Sequence, residues 1–223
     1  MTVVHHLDDA TLLRYASGDL DEAFSVVVAC HLAICGTCRH AAQAAEEVGG
    51  QLMETCADDD LAGDAFDRLM DRIDNGEDRI AADAVTPPTP AADASDAVPL
   101  PLRRFVGPSL DAVHWRMVAP GIRKHAIRLP ASSRSSLYLL HIAPGKAVPE
   151  HGHGGAELTL ILSGAYRDEL GRFGPGDIAD LDEHIEHRPR VEPGAPCICL
   201  AATEEPTRFR GFFSRLLQPL DGV

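Results

Sequence analysis

The stretch His31-Leu32-Ala33-Ile34-Cys35-Gly36-Thr37-Cys38 places an imidazole and two thiols at His-x3-Cys-x2-Cys spacing. Tetrahedral zinc sites are built from such parts, with the Cys-x2-Cys pair forming a knuckle and a third ligand close by. Closing the shell needs a fourth ligand. His6 is the best candidate, with His5 as its immediate competitor. Two thiolates, two neutral imidazoles and Zn²⁺ sum to zero charge, so the cluster can be buried without an uncompensated ion. A closed shell would make the site structural rather than catalytic. A redox dithiol of the thioredoxin kind would require a β-α-β setting, whereas the chain around this stretch has helical periodicity throughout.

Asp8 is placed to cap a helix carrying Leu12, Leu13 and Ala16, with Leu7 as a staple and Gly18 as the stop. A second helix is predicted from about Asp21 to Leu32, because Phe24, Val27, Val28 and His31 share a face. A third should start near Cys35, where its positive end would stabilise thiolates, and weaken at Gly49-Gly50. A core this small leaves zinc to supply much of its folding free energy. Farther on, Phe66, Leu69, Met70 and Ile73 recur at i, i+3, i+4 and i+7. That stripe either packs on its own helical neighbours or is offered to another protein as a helix-in-groove ligand, for which Met is suited.

The six cysteines form two close pairs, 35/38 and 197/199, with Cys30 and Cys56 single. This fits metal or redox chemistry in a reducing compartment better than a disulfide framework. The opening residues show neither a basic n-region nor an apolar h-region, and no apolar run approaches the ~20 residues of a membrane span. A soluble, cytoplasmic protein is expected. The formal charge of −14 is uneven. Residues 1–85 hold 18 Asp/Glu against 5 Lys/Arg, whereas residues 102–223 hold 14 acids against 15 bases. The acidic half repels nucleic acid and favours a basic protein partner.

Between Ala81 and Pro101 the chain is almost entirely Ala, Pro, Asp, Ser and Thr, a composition that cannot bury a core. Two domains follow: a small all-α zinc-binding domain over residues 1–85 and, after a linker over 86–101, an all-β domain over 102–223. Such a linker transmits strain poorly, so the second domain should act by contact rather than by pulling. Strands are predicted over 113–118, 125–129, 137–142, 157–162, 166–169, 177–181 and 197–201, punctuated by Pro-Gly and Leu-Gly turns, as in a jelly-roll barrel.

Within this β domain, Gly145-x5-His151-x-His153-x3-Glu157-x6-Gly164 is similar, position for position, to the first motif of the cupin superfamily. His151 and His153 alternate onto one face of an extended segment and Glu157 opens the next strand, so all three could point into a barrel. The second motif is looser. Gly174-Pro175-Gly176-Asp177 supplies a turn, and after nine intervening residues comes His187, with His184 as competitor. Three imidazoles and a carboxylate would leave positions open on zinc, iron or manganese. Cys197 and Cys199 share one face of a strand, either as core packing or as an oxidant-sensing pair.

The chain as a whole resembles the ChrR-like zinc anti-sigma factors, which join an N-terminal zinc-binding anti-sigma domain to a C-terminal cupin-like domain. The resemblance rests on His6, on His31-x3-Cys35-x2-Cys38, on His151-x-His153-x3-Glu157 with His187, and on the order of the modules. It implies a non-enzymatic regulator whose helical domain binds a group IV (extracytoplasmic-function) sigma factor. It further implies a cupin-like domain that responds to singlet oxygen or organic hydroperoxides. The Phe66–Ile73 stripe would then be a second arm around the sigma factor, with charge supplying encounter rate and apolar stripes affinity. The rival reading is a metal-dependent dioxygenase or isomerase with an accessory zinc module.

Overall fold

The computed structural model describes residues 2–57, 59–75, 98–148, 151–152, 154–182, 184–204 and 208–209, with residues 151–152 and 208–209 described as backbone. The helical part comprises α1 (Asp9–Ala16), α2 (Glu22–Ile34), α3 (Gly36–Glu54) and α4 (Ala65–Asn75). The Asp8 carboxylate accepts from Thr11 N–H and caps α1, and Asp21 does the same for α2 through Ala23 N–H. Cys35 is at once the end of α2 and the cap of α3, its sulfur accepting from Cys38 N–H at 3.5 Å. α3 runs past Gly49-Gly50 to Glu54, beyond its predicted weak point. Neither glycine takes the left-handed conformation that stops a helix.

The chain re-enters the described structure at Val98, which is buried, and forms α5 (Leu100–Val106), started by prolines at its first turn. The end of the expected linker is therefore packed, while residues 86–97 lie outside the described residues. A 3₁₀ turn at Leu110–Ala112 leads into eleven strands: β1 (Arg116–Ala119), β2 (Ile122–Ile127), β3 (Ser136–Ile142), β4 (His151–Gly152), β5 (Glu157–Ser163), β6 (Tyr166–Asp168), β7 (Gly171–Phe173), β8 (Ile178–Leu181), β9 (Arg190–Val191), β10 (Cys197–Thr203) and β11 (Arg208–Phe209). They pair as a six-stranded antiparallel sheet ordered β1-β2-β3-β10-β5-β8, a three-stranded sheet β7-β6-β9 and the pair β11-β4. Strands β4, β7 and β9 were too short to carry a readable alternation.

The large sheet is buried on both faces. One row, including Ile142, Ile161, Leu181, Cys197 and Cys199, packs with Tyr166, Phe173 and Val191 of the small sheet and fills the barrel. The alternate row, Leu137, Leu139, Leu158, Leu160, Ile178 and Leu200, packs with Phe24, Val27 and Val28 of α2 and Leu102 of α5. The helical and β parts thus share an apolar core. Fully burying such aliphatic side chains stabilises by about 1.5–3 kcal/mol each, enough for a dozen to hold the two parts together.

Candidate functional site

His6, His31, Cys35 and Cys38 come together, each offering a ligand atom within 4.8 Å of the others, and all but His6 are buried. His6 Nδ1 lies 3.3 Å from Cys35 Sγ and 3.5 Å from Cys38 Sγ. A tetrahedron with metal–ligand distances of about 2.0–2.3 Å has edges of roughly 3.3–3.8 Å, so these separations suit zinc. His31 supplies the second test of fit. Its Nδ1 lies 3.1 Å from the carbonyl oxygen of Gly176, which can only accept, so Nδ1 carries the proton. That leaves Nε2 with its lone pair, buried and with no hydrogen-bond partner among the described residues. Burial pulls His31 down to about 4, keeping it neutral, and pushes the Cys38 thiol up to about 11. A divalent cation would remove the reason for that thiol to stay protonated. By donor set and spacing the four residues could hold zinc.

His5 is not in the set. Its ring stacks on Phe173 at 4.0 Å between centroids, and its Nε2 lies 3.0 Å from the Arg172 carbonyl. Asp177 Oδ1 accepts from the backbone N–H groups of Val4 (2.6 Å) and His5 (3.0 Å), while Oδ2 accepts from Gly174 (2.8 Å). Burial alone would raise the Asp177 carboxyl, but these three N–H groups outweigh it and hold it below its ordinary value.

In the barrel, Glu157 is buried at the head of β5 and accepts from Thr159 Oγ1 at 3.0 Å. His187 is buried, with Nδ1 2.9 Å from Asp168 Oδ2, so its Nδ1 proton faces the carboxylate. Its competitor His184 is exposed, its backbone N–H held by Asp182 in a turn. His151 lies on β4, opposite Phe209, and His153 lies outside the described residues. Asp168 escaped the sequence reading because nothing local marks it: its partner is 19 positions away. Gly164 of the first motif is at φ 72°, and a Cβ there would collide with the Pro196 carbonyl. Cys197 and Cys199 are buried. Desolvation pushes the first thiol up to about 12 and the second well above its ordinary value. Thiols held protonated and away from solvent are poor oxidant targets, so their geometry is that of core packing.

The Phe66, Leu69, Met70 and Ile73 stripe on α4 is solvent-exposed, at 71%, 49%, 39% and 58%. Val48, Leu52 and Met53 at the end of α3 are exposed too. The helix does not bury its stripe on its own domain.

The fold and site define a class: a helical module with a His/Cys cluster suited to zinc, seated on a cupin barrel, with amphipathic helices left exposed. Residues 105–206 match the ChrR cupin-like domain. Over 219 residues, 98% of each chain, the sequence is 47% identical to the anti-sigma-E factor ChrR of Cereibacter sphaeroides. The structure also matches the crystal structure of Rhodobacter sphaeroides SigE in complex with the anti-sigma ChrR, with TM-score 0.76 and 42% identity, covering 91% of this chain and 99% of that one. The chain belongs to the ChrR family of anti-sigma factors, a family of regulators rather than enzymes. No single helix among its described residues is long and apolar enough to cross a membrane.

Proposed function

We propose that this protein is a cytoplasmic anti-sigma factor that holds a group IV sigma factor in a heterodimer and releases it under singlet oxygen or organic hydroperoxide stress. The observation that carries the reading is the exposed Phe66–Ile73 stripe together with the His6/His31/Cys35/Cys38 cluster, in a chain that matches a sigma-factor inhibitor over 98% of its length. Zinc at His6, His31, Cys35 and Cys38 fixes the turn between α2 and α3 and so orients the surfaces that grip the sigma factor. The acidic surface of residues 1–85 steers a basic partner, and the apolar stripe supplies the affinity. In the cupin, His151, His153, Glu157 and His187 would hold a second ion, zinc or else iron or manganese, whose site is the oxidant-responsive part. Asp168 orients His187 toward that ion.

The test is co-purification of the full chain with its sigma factor, together with metal analysis. Wild type is expected to give a stoichiometric complex that silences transcription by reconstituted RNA polymerase. Cys35→Ala or His31→Ala should remove one zinc equivalent and abolish the complex. Zinc loss with unchanged sigma binding would show that the site does not organise the interface.

A further inference from the structure

The helical zinc site is embraced by a turn that belongs to the other module. Gly174–Asp177 connects β7 to β8 and is pinned to β5 by two backbone hydrogen bonds: Gly176 N–H to Ile161 O (2.8 Å) and Ile161 N–H to Asp177 O (3.0 Å). From this fixed platform one group reaches a proposed zinc ligand, and two more reach the residues just before another. The Gly176 carbonyl accepts from His31 Nδ1 and sets its tautomer and ring plane. The Asp177 carboxylate holds the amides of Val4 and His5, the two residues before His6. Ile178 N–H reaches the His5 carbonyl at 3.4 Å, so the peptide carrying His6 runs along the start of β8. The approach is close. Gly176 sits at φ 88°, and a Cβ there would lie 3.0 Å from Val3 Cγ2 and 3.1 Å from Ile34 Cγ2.

The same platform leads into the barrel. Phe173, just before the turn, is stacked on His5 at 4.0 Å on one side and on Tyr166 at 4.9 Å on the other. Tyr166 is buried in the barrel, two residues from the Asp168 that orients His187. A continuous packed route thus runs from the neighbour of one proposed metal ligand to the partner of another.

We infer that the cupin turn Gly174–Asp177 is the outer shell of the helical zinc site, and that Asp177 is its positioning residue. The inference rests on the zinc reading above and adds that the two modules are coupled through this shell. Outer-shell partners that orient a ligand commonly govern metal affinity by tenfold to a hundredfold. Coupling of this kind is reciprocal: what docking does for zinc retention, zinc does for docking.

The experiment uses the full chain loaded with Co²⁺, whose thiolate-to-metal absorption reports the Cys35/Cys38 site separately from a cupin ion. Loss of that band to excess chelator is timed for wild type, Asp177→Ala, Asp177→Asn and Ile127→Ala. Asn keeps the size of Asp but replaces one acceptor by a donor, where all three partners are N–H groups. Ile127 is buried on β2, with three strands between it and β8, and its truncation destabilises the far edge of the shared core without touching the turn. Asp177→Ala is expected to lose metal roughly tenfold faster than wild type, Asp177→Asn by a smaller factor, and Ile127→Ala at the wild-type rate. Hydrogen exchange at the Ile178 amide should rise when the helical site is stripped. Equal rates for wild type and both Asp177 variants, or equal acceleration by Ile127→Ala, would overturn the inference. If Asp177→Ala does not fold, Asp177→Asn decides alone. A chain whose thiolate band never forms would instead sink the zinc reading itself, so the two failures are distinguishable.

Discussion

His31 shows how much one buried side chain can be asked to do. One ring nitrogen binds the Gly176 carbonyl, the other faces the thiols, and the ring has no exposed surface. Burial lowers its pKa to about 4, against roughly 6.5 for an unfolded chain. Between those values the unfolded state binds more protons than the folded state, so stability is full above about 6.5 and falls as pH drops toward 4. For chelator-treated protein we expect the urea midpoint to decline from pH 6.5 to 5, above the range where most carboxylates titrate. A flat midpoint over that window would mean that His31 accepts a proton without cost. At this scale the sequence was a good guide where ligand spacing is local. His31, Cys35 and Cys38 lie within one helix-to-helix turn, and such spacing constrains geometry directly. It separated His5 from His6 only weakly, because Phe173 and the Arg172 carbonyl, which hold the ring of His5 aside, lie more than 160 positions away.

At the scale of elements, α2 and α4 are opposites. α4 has a narrow stripe and a charged remainder, so its periodicity announces an amphipathic helix but leaves open what covers it. The exposure of all four stripe residues answers that within the chain. Replacing Leu69 and Met70 with Glu should therefore leave metal content and thermal midpoint unchanged while weakening sigma binding by roughly thirtyfold or more, the effect of losing a hot spot. A variant that unfolds by itself would show the stripe to be core. α2 reads Ala-Phe-Ser-Val-Val-Val-Ala-Cys-His-Leu-Ala-Ile after its first residue and is apolar on nearly every face. A helix apolar all round is buried all round, and this was the available sign that the helical domain is seated on something. Its one-faced reading missed the large sheet. α5 was missed for a different reason: its prolines look like linker chemistry, yet they start a helix at its first turn.

Among the described residues, α1–α3, α5 and the large sheet share one core, yet the helical part and the barrel part can still be told apart by what they contain. All four proposed zinc ligands, the α4 stripe and nearly all the net negative charge precede residue 86. The barrel contributes the Gly176 and Asp177 contacts and the sheet face under α2. A fragment ending near Val85 should therefore keep its grip on the sigma factor, because the gripping surfaces and zinc ligands are its own. It should also lose zinc faster and be less stable, because α2 loses the sheet and His31 loses its carbonyl partner. Release under singlet oxygen or hydroperoxide should disappear, since the proposed responsive site goes with the barrel. In the full chain, replacement of His151, His153 or Glu157 should produce the same unresponsive inhibition with the α2–sheet packing intact. Reporter transcription with and without oxidant, in cells carrying each form, distinguishes the cases. Silencing by the fragment with no induction assigns sensing to the barrel, whereas normal induction with the fragment alone would place the sensor in the helical domain and leave the barrel as a structural support.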